Sequence, residues 1–402
     1  MKLDKKKKLL MWTILIIALV QMPALALTPA INLIQTQVFP AHTLAEVQTA
    51  LAWTNLVSPV VSIIVAFFIN RGLFTKKGVV ITGLFLLSLT GFLAILFHTE
   101  FWSLSMLSVV LGIATGCFMT NAFGLLFDNY NDRERQIIAG YQTSCINLGG
   151  ISMGLLGGVL ATAMWYGGYI ILLIGLPVAI LAFFTVPNYK SPSARFSGEV
   201  TDKSRLNPRI YYYAVLAFLF MMIYGVGGAN ISPHIKQNIP DVNDAAMAGI
   251  AVAIQMGGGV VSGFFFGRIS EKLKDMVLPV ACSAIFVGFM LLSLFASSLV
   301  MIFIGIFIAG MSLSLMLPRC IYAVSTLVDK STSATATVII SSVAPSLGGL
   351  LSPQVFTRLE SAVFGDATAT RYIVAGCAVL LLGLVITVLT LGRRKKEQAA
   401  QA

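Results

Sequence analysis

The sequence predicts an all-α membrane protein, with twelve transmembrane helices in two pseudo-symmetric six-helix bundles. Three observations predict it: apolar runs of span length recur along the chain, charges are confined to the breaks between them, and two motifs return at corresponding places in the two halves. Of the 402 residues, 57% are apolar and 11% are charged, and the mean hydropathy is +0.89. A chain so poor in charge cannot cover a core of this size with polar surface, so its solvent is lipid.

A helix needs about 20 apolar residues to cross the hydrocarbon core, where no water serves unpaired backbone groups. Such runs predict helices near 9–35, 47–69, 79–97, 101–127, 137–163 and 167–187. A polar stretch rich in Ser, Lys and Arg follows, with Pro192 and Pro208. Six further runs lie near 210–235, 245–267, 276–296, 299–327, 334–358 and 372–392. The expected organisation is an N-terminal bundle (1–187), a cytoplasmic linker (188–209) and a C-terminal bundle with a basic tail (210–402). Lys5–Lys8 and the apolar run after it have the outline of a secretory leader ending near Ala24-Leu25-Ala26. The run continues to about Leu33, however, and its removal would break the six-plus-six pattern, so it is read as the first span.

Lys and Arg outnumber Asp and Glu by 27 to 16. The excess sits in short breaks between spans, which argues for membrane topology and against a nucleic-acid partner. With the N-terminus in the cytoplasm, the inner segments hold Lys5–Lys8, Arg71, Lys76, Lys77, Arg133, Arg135, the linker, Arg268, Lys272, Lys274, Lys330 and Arg393–Lys396. The outer segments hold Lys236, Arg358 and Arg371. Both termini are therefore expected in the cytoplasm, and the protein in the plasma (cytoplasmic) membrane.

The five cysteines fall inside apolar runs without CxxC spacing and read as small hydrophobes. No GxxxxGK[ST] loop is present for ATP, and three scattered histidines (His42, His98, His234) make no metal cluster or catalytic set. Neither an enzyme nor a cofactor is expected.

The halves match in detail. Phe67-Phe68-Ile69-Asn70-Arg71 corresponds to Phe264-Phe265-Phe266-Gly267-Arg268, and Lys77 and Val80 correspond to Lys274 and Val277 at the same offset. Leu156-Gly157-Gly158-Val159-Leu160 echoes Leu347-Gly348-Gly349-Leu350-Leu351. Tandem repeats of six spans are a known transporter architecture.

With these residues the chain resembles the major facilitator superfamily of secondary transporters. The segment from Asn70 to Lys77 is similar to the family's loop between helices 2 and 3, roughly G-x-x-x-D-R-x-G-R-R/K. Asn70 stands in place of the aspartate, and the spacing is one residue longer. That loop is a latch in the family, so the resemblance implies a charge contact between Arg71 and Asp128, with Lys77 and Arg268 in the same gating set. In helix 5, Gly149 to Gly158 resembles a degenerate G-x-x-x-G-P-x-x-G-G, which the family's antiporters carry there; Met153 and Gly154 replace its Gly-Pro pair. Pro345, Gly348 and Gly349 in helix 11 keep the Pro-x-x-Gly-Gly portion. The resemblance gives Gly154, Gly157, Gly158 and these three a gating role and favours export. The alternative is ordinary close packing at small residues.

The resemblance also places helices 1, 4, 7 and 10 around a cavity. Their mid-depth polar residues, Gln21, Asn32, Thr115, Asn121, Tyr224, Asn230, Ser312 and Arg319, become the candidate substrate contacts, with helix–helix hydrogen bonding as the alternative for each. Gly225-Val226-Gly227-Gly228 is a candidate hinge. Arg319 is either an anion contact or a gate near the cytoplasmic end. No Asp or Glu lies in the middle of a predicted span. His234, at the outer end of helix 7, is the candidate proton relay unless it is a solvated loop residue.

The expected function is secondary active transport by alternating access, as a proton-coupled exporter of small lipophilic compounds or metabolites. The alternatives are an organic-anion carrier using Arg319 and a solute sensor on the same scaffold. The expected partners are a small-molecule substrate and the bilayer, with the protein acting as a monomer.

Overall fold

The computed structural model describes residues 4–188, 208–325 and 339–401, whose regular elements are all helical. Helix α1 (Lys5–Leu19) breaks at 20–22 and continues through short turns from Pro23 to Val38, the two limbs bent by 43°. Pro23 and Pro29 explain the break, since neither supplies the N–H that a continuing α-helix needs. Then come α2 (Leu44–Asn70), α3 (Lys76–Leu96), α4 (Phe101–Asn129), α5 (Asp132–Ala163) and α6 (Gly167–Thr185). The second half holds α7 (Pro208–Asn238), α8 (Asp244–Leu273), α9 (Val277–Leu294), α10 (Leu299–Ser325), α11 (Ile339–Phe364) and α12 (Thr368–Gln401).

Local chemistry starts these helices. Thr43 with Glu46 and Asn131 with Glu134 form reciprocal capping boxes at the starts of α2 and α5, satisfying N–H groups that have no partner in the first turn. Thr75 and Asn243 cap α3 and α8 through single side-chain bonds.

Among the described residues, ten helical stretches are long and apolar enough to span a membrane, or eleven with the bent α1. One of the ten, Asp244–Leu294, is 51 residues long. At 1.5 Å per residue it would extend roughly 75 Å, far beyond one bilayer crossing. It is interrupted at Lys274, whose φ is 51°, and by the turn Lys274–Met276. Taken as α8 and α9, it brings the helices to the twelve expected. The C-terminal end of α11 reaches Phe364, beyond the predicted 358. Residues 189–207 of the predicted linker, residues 334–338 of the predicted eleventh span and Lys330 lie outside the described residues, as do the side chains of Arg393–Lys396.

The chain divides into two compact units, Met1–Lys203 and Ser204–Ala402. In the first, α1 packs on α5 and α6, α2 on α4, and α3 on α4 and α6. In the second, α7 packs on α11 and α12, α8 on α10, and α9 on α10 and α12. The pairing scheme is the same, helix for helix. Each unit has its own apolar core, centred on Ile14, Leu84, Leu87 and Phe118 in the first and on Phe220, Ile285, Phe289 and Ile306 in the second. Outward-facing aromatics such as Phe184 and Phe264 are 79% and 84% exposed. A lipid solvent tolerates such exposure on helices of spanning length.

Candidate functional site

In the first unit the broken part of α1 lies on the glycines of α5. The Leu19 carbonyl occupies the place where a side chain on Gly149 would stand, and the Ala26 carbonyl does the same at Gly157. Gly168, in the first turn of α6, also faces the Ala26 carbonyl. The α5 motif is thus a seat for irregular backbone. Gly154 and Gly158 are buried beside it.

At the break stands Gln21, 2% exposed, with neither side-chain amide atom hydrogen-bonded. The other candidates of this unit have partners. Asn32 is buried and bonded, and its carbonyl accepts from Thr36. Thr115 donates back to the Leu111 carbonyl at 2.9 Å, and Asn121 Nδ2 to the Cys117 carbonyl at 2.7 Å. Gln142 on α5 repeats the condition of Gln21: it is fully buried, and both amide atoms are unpartnered. Sequence reasoning passed over it because polar residues were sought on helices 1, 4, 7 and 10. The available signal was a carboxamide seven residues, about two helical turns, past the last charge, Arg135.

The latch contact differs from the one implied. Lys76, not Arg71, pairs with Asp128, with Nζ 2.8 Å from Oδ2, and both side chains are largely buried. Two local features explain the change. Thr75 caps α3 and sets Lys76 in its first turn beside the end of α4. Arg71 ends α2 and lays its guanidinium on Phe67, 4.1 Å from the ring centroid. Lys77 approaches the Phe183 ring at 5.2 Å, and Arg268 is exposed. Nearby, Tyr130 donates to the Lys7 carbonyl at 2.6 Å, and burial together with Glu134 pushes its phenol pKa up. Asp128→Asn is expected to destabilise the protein by about 1.5–3 kcal/mol by leaving Lys76 without its charge partner. Adding Lys76→Gln should recover most of the loss in a melting experiment.

In the second unit Arg319 makes an analogous tie with the signs exchanged. Its Nη2 lies 2.7 Å from Asp275 Oδ1, in the turn entering α9, and its Nη1 donates to Ser270. The anion-carrier reading needs this cation for the solute, and the structure gives it a carboxylate of the protein instead. Ser312 donates to the Ala309 carbonyl, and Tyr224 stacks on Phe220 at 6.0 Å. The candidate hinge is continuous helix: Gly225 makes room for Ser352 of α11, and Gly348 receives the Phe218 carbonyl of α7. Gly348 therefore does against α7 what its repeat counterpart Gly157 does against α1. Pro345 is buried and Gly349 partly buried in the same helix.

The largest polar cluster was not foreseen. Arg371, taken in the sequence as an outer-loop residue, is 2% exposed and lies in the first turn of α12. It donates to Glu360 Oε2 at 3.2 Å, Asn230 Oδ1 at 3.3 Å, Ser361 Oγ at 2.7 Å and Asp366 Oδ1 at 3.3 Å. Glu360, 4% exposed, is a buried acid within the spanning stretch of α11. His234 is likewise buried rather than solvated. Its Nε2 donates to the Leu292 carbonyl at 3.0 Å, and its Nδ1 faces Thr368 Oγ1 at 2.9 Å.

Comparison with known proteins places this geometry. The family model described as Major Facilitator Superfamily matches residues 9–353. The chain belongs to the major facilitator superfamily. It is accordingly a multi-pass membrane protein of a transporter family and not an enzyme. Solved structures of the superfamily share its fold at low identity. A mutant of the nucleoside transporter NupG has a TM-score of 0.75 at 13% identity, with 94% of this chain and 99% of that chain covered. A POT family transporter in complex with a thioalcohol-conjugated peptide gives 0.74 at 11%, covering 95% and 96%. A bacterial homologue of the human lysosomal transporter Spinster, inward-facing and occupied, gives 0.67 at 15%, covering 96% of both. No curated protein sequence matches this superfamily member.

Proposed function

We propose that the protein is a secondary active carrier that moves a small uncharged solute by alternating access, as an exporter coupled to the proton gradient. The observation that carries the solute class is the chemistry of the candidate contacts. Gln21, Asn32, Thr115, Asn121, Tyr224, Asn230 and Ser312 are all neutral, and Arg319 already holds Asp275. The structural neighbours named for their solutes handle nucleosides, a peptide conjugate and 5-aminolevulinic acid, which are small molecules. Export rests on the resemblance of Gly149–Gly158 to the antiporter motif. For the proton, His234 is the proposed relay, because a change in its protonation would have to rearrange the bonds joining α7 to α9 and α12. The setting is the plasma membrane with both termini cytoplasmic. The working unit is a monomer of two bundles, 1–187 and 210–402, joined by the linker 188–209.

The test is purified protein in liposomes, loaded with a mixed metabolite and drug panel under an imposed pH gradient of each sign. An uncharged compound should be driven against the proton flow, and His234→Gln should lose that accumulation while keeping downhill exchange. Movement restricted to organic anions would refute the reading.

A further inference from the structure

Among the buried side chains of the first unit with unpartnered polar atoms, two are carboxamides, Gln21 on α1 and Gln142 on α5; the others are the Ser108 and Tyr169 hydroxyls. Each carboxamide offers two N–H donors and a carbonyl acceptor, and buried polar groups are nearly always paired. Their positions along the helices are related. Gln142 precedes Gly149 by seven residues, two helical turns, and so shares its face of α5. Gly149 bears on Leu19 and Gly157 on Ala26, so that face is the one α1 covers, with both helices running the same way. Gln21 follows Leu19 by two residues, at the break in α1. Along this seam the two glutamines stand about nine residues apart in register, roughly 13 Å.

The charge distribution narrows what would satisfy them. Residues 9–41 and 136–163 contain no Asp, Glu, Lys or Arg, so neither helix offers a counter-ion along the seam. An ionic solute would be desolvated there without compensation, and a purely lipophilic one would leave both amides unpaired. We infer that Gln21 and Gln142 are hydrogen-bonding contacts for an uncharged polar solute that presents both donors and acceptors. This rests on the carrier reading above and narrows its solute to polyhydroxylated or amide-like chemistry.

The experiment compares wild type, Gln21→Met and Gln142→Met in proteoliposomes. The probes are labelled uridine and glucose as polar neutral solutes, ethidium as a lipophilic cation and succinate as an anion. The wild type is expected to move a polar neutral probe, and each variant to slow it about tenfold. Melting is measured on the same preparations. Replacing an unpartnered buried amide by a thioether of similar shape should leave the melting temperature unchanged or raise it, whereas loss of a structural bond would lower it. Wild-type transport of ethidium or succinate alone would overturn this inference together with the uncharged-solute reading above. Unchanged uridine or glucose flux in both variants, or a lowered melting temperature in both, would overturn this inference and leave that reading standing. A wild type that moves none of the four would remove the carrier reading itself, and this inference with it.

Discussion

Arg371→Met is expected to lower the melting temperature of the purified protein by roughly 5–10 °C, the largest effect foreseen for a single substitution outside the helix contacts. Arg371 and Glu360 are each 2% exposed at the side chain, and the guanidinium serves four acceptors contributed by α7, α11 and the turn before α12. Removing it leaves a carboxylate buried without its cation, which costs about 3–5 kcal/mol when a desolvated pair is broken from one side. The double variant Glu360→Gln with Arg371→Met removes both charges together and should melt closer to wild type than Arg371→Met alone. Equal melting of all three proteins would mean that the pair contributes nothing to stability.

The second large effect is expected from the smallest possible side chain. Gly149→Ala, Gly157→Ala and Gly348→Ala each place a methyl group on a carbonyl of the facing helix, Leu19, Ala26 and Phe218 respectively. Backbone cannot step aside as a flexible side chain can, so α1 or α7 must move outward, at a cost of about 1–3 kcal/mol. In liposomes, flux of the transported compound should fall at least tenfold in each. Gly257→Ala and Gly267→Ala are the controls, because nothing lies within 4 Å of the added carbon. In those helical positions alanine should be neutral or stabilising by up to about 1 kcal/mol. A control as damaged as the seam variants would show that glycine flexibility, rather than close approach, is what matters there.

These two sites divide what the sequence made legible from what it hid. Spans are legible because lipid enforces an apolar run of known length, and every predicted run has its helix among the described residues. The glycines were legible as a repeat, and their partners follow from it: Gly157 and Gly348 each receive the backbone of the first helix of their own unit. The Glu360–Arg371 cluster was hidden because hydropathy ends α11 where charge begins. A charge that finds its partner inside the protein can nonetheless extend a buried helix. His234 was hidden for the same reason, since its partners Thr368 and Leu292 are far away in sequence. Arg71 was misassigned because a shared motif says which residue types gather at a turn. Which of two neighbouring cations reaches Asp128 is decided by the cap on Thr75, one residue away.

The exchanged signs at the two turns bear on how a duplicated chain tells its halves apart. Lys76 meets Asp128 in one unit, and Asp275 meets Arg319 in the other. Two units with the same helix pairing offer each turn a wrong docking place of the right shape during folding. Here both wrong choices are like-charge contacts: Lys76 would face Arg319, and Asp275 would face Asp128. The polarity of each pair thus makes the two turns non-interchangeable, since each charge is matched only by the partner in its own half.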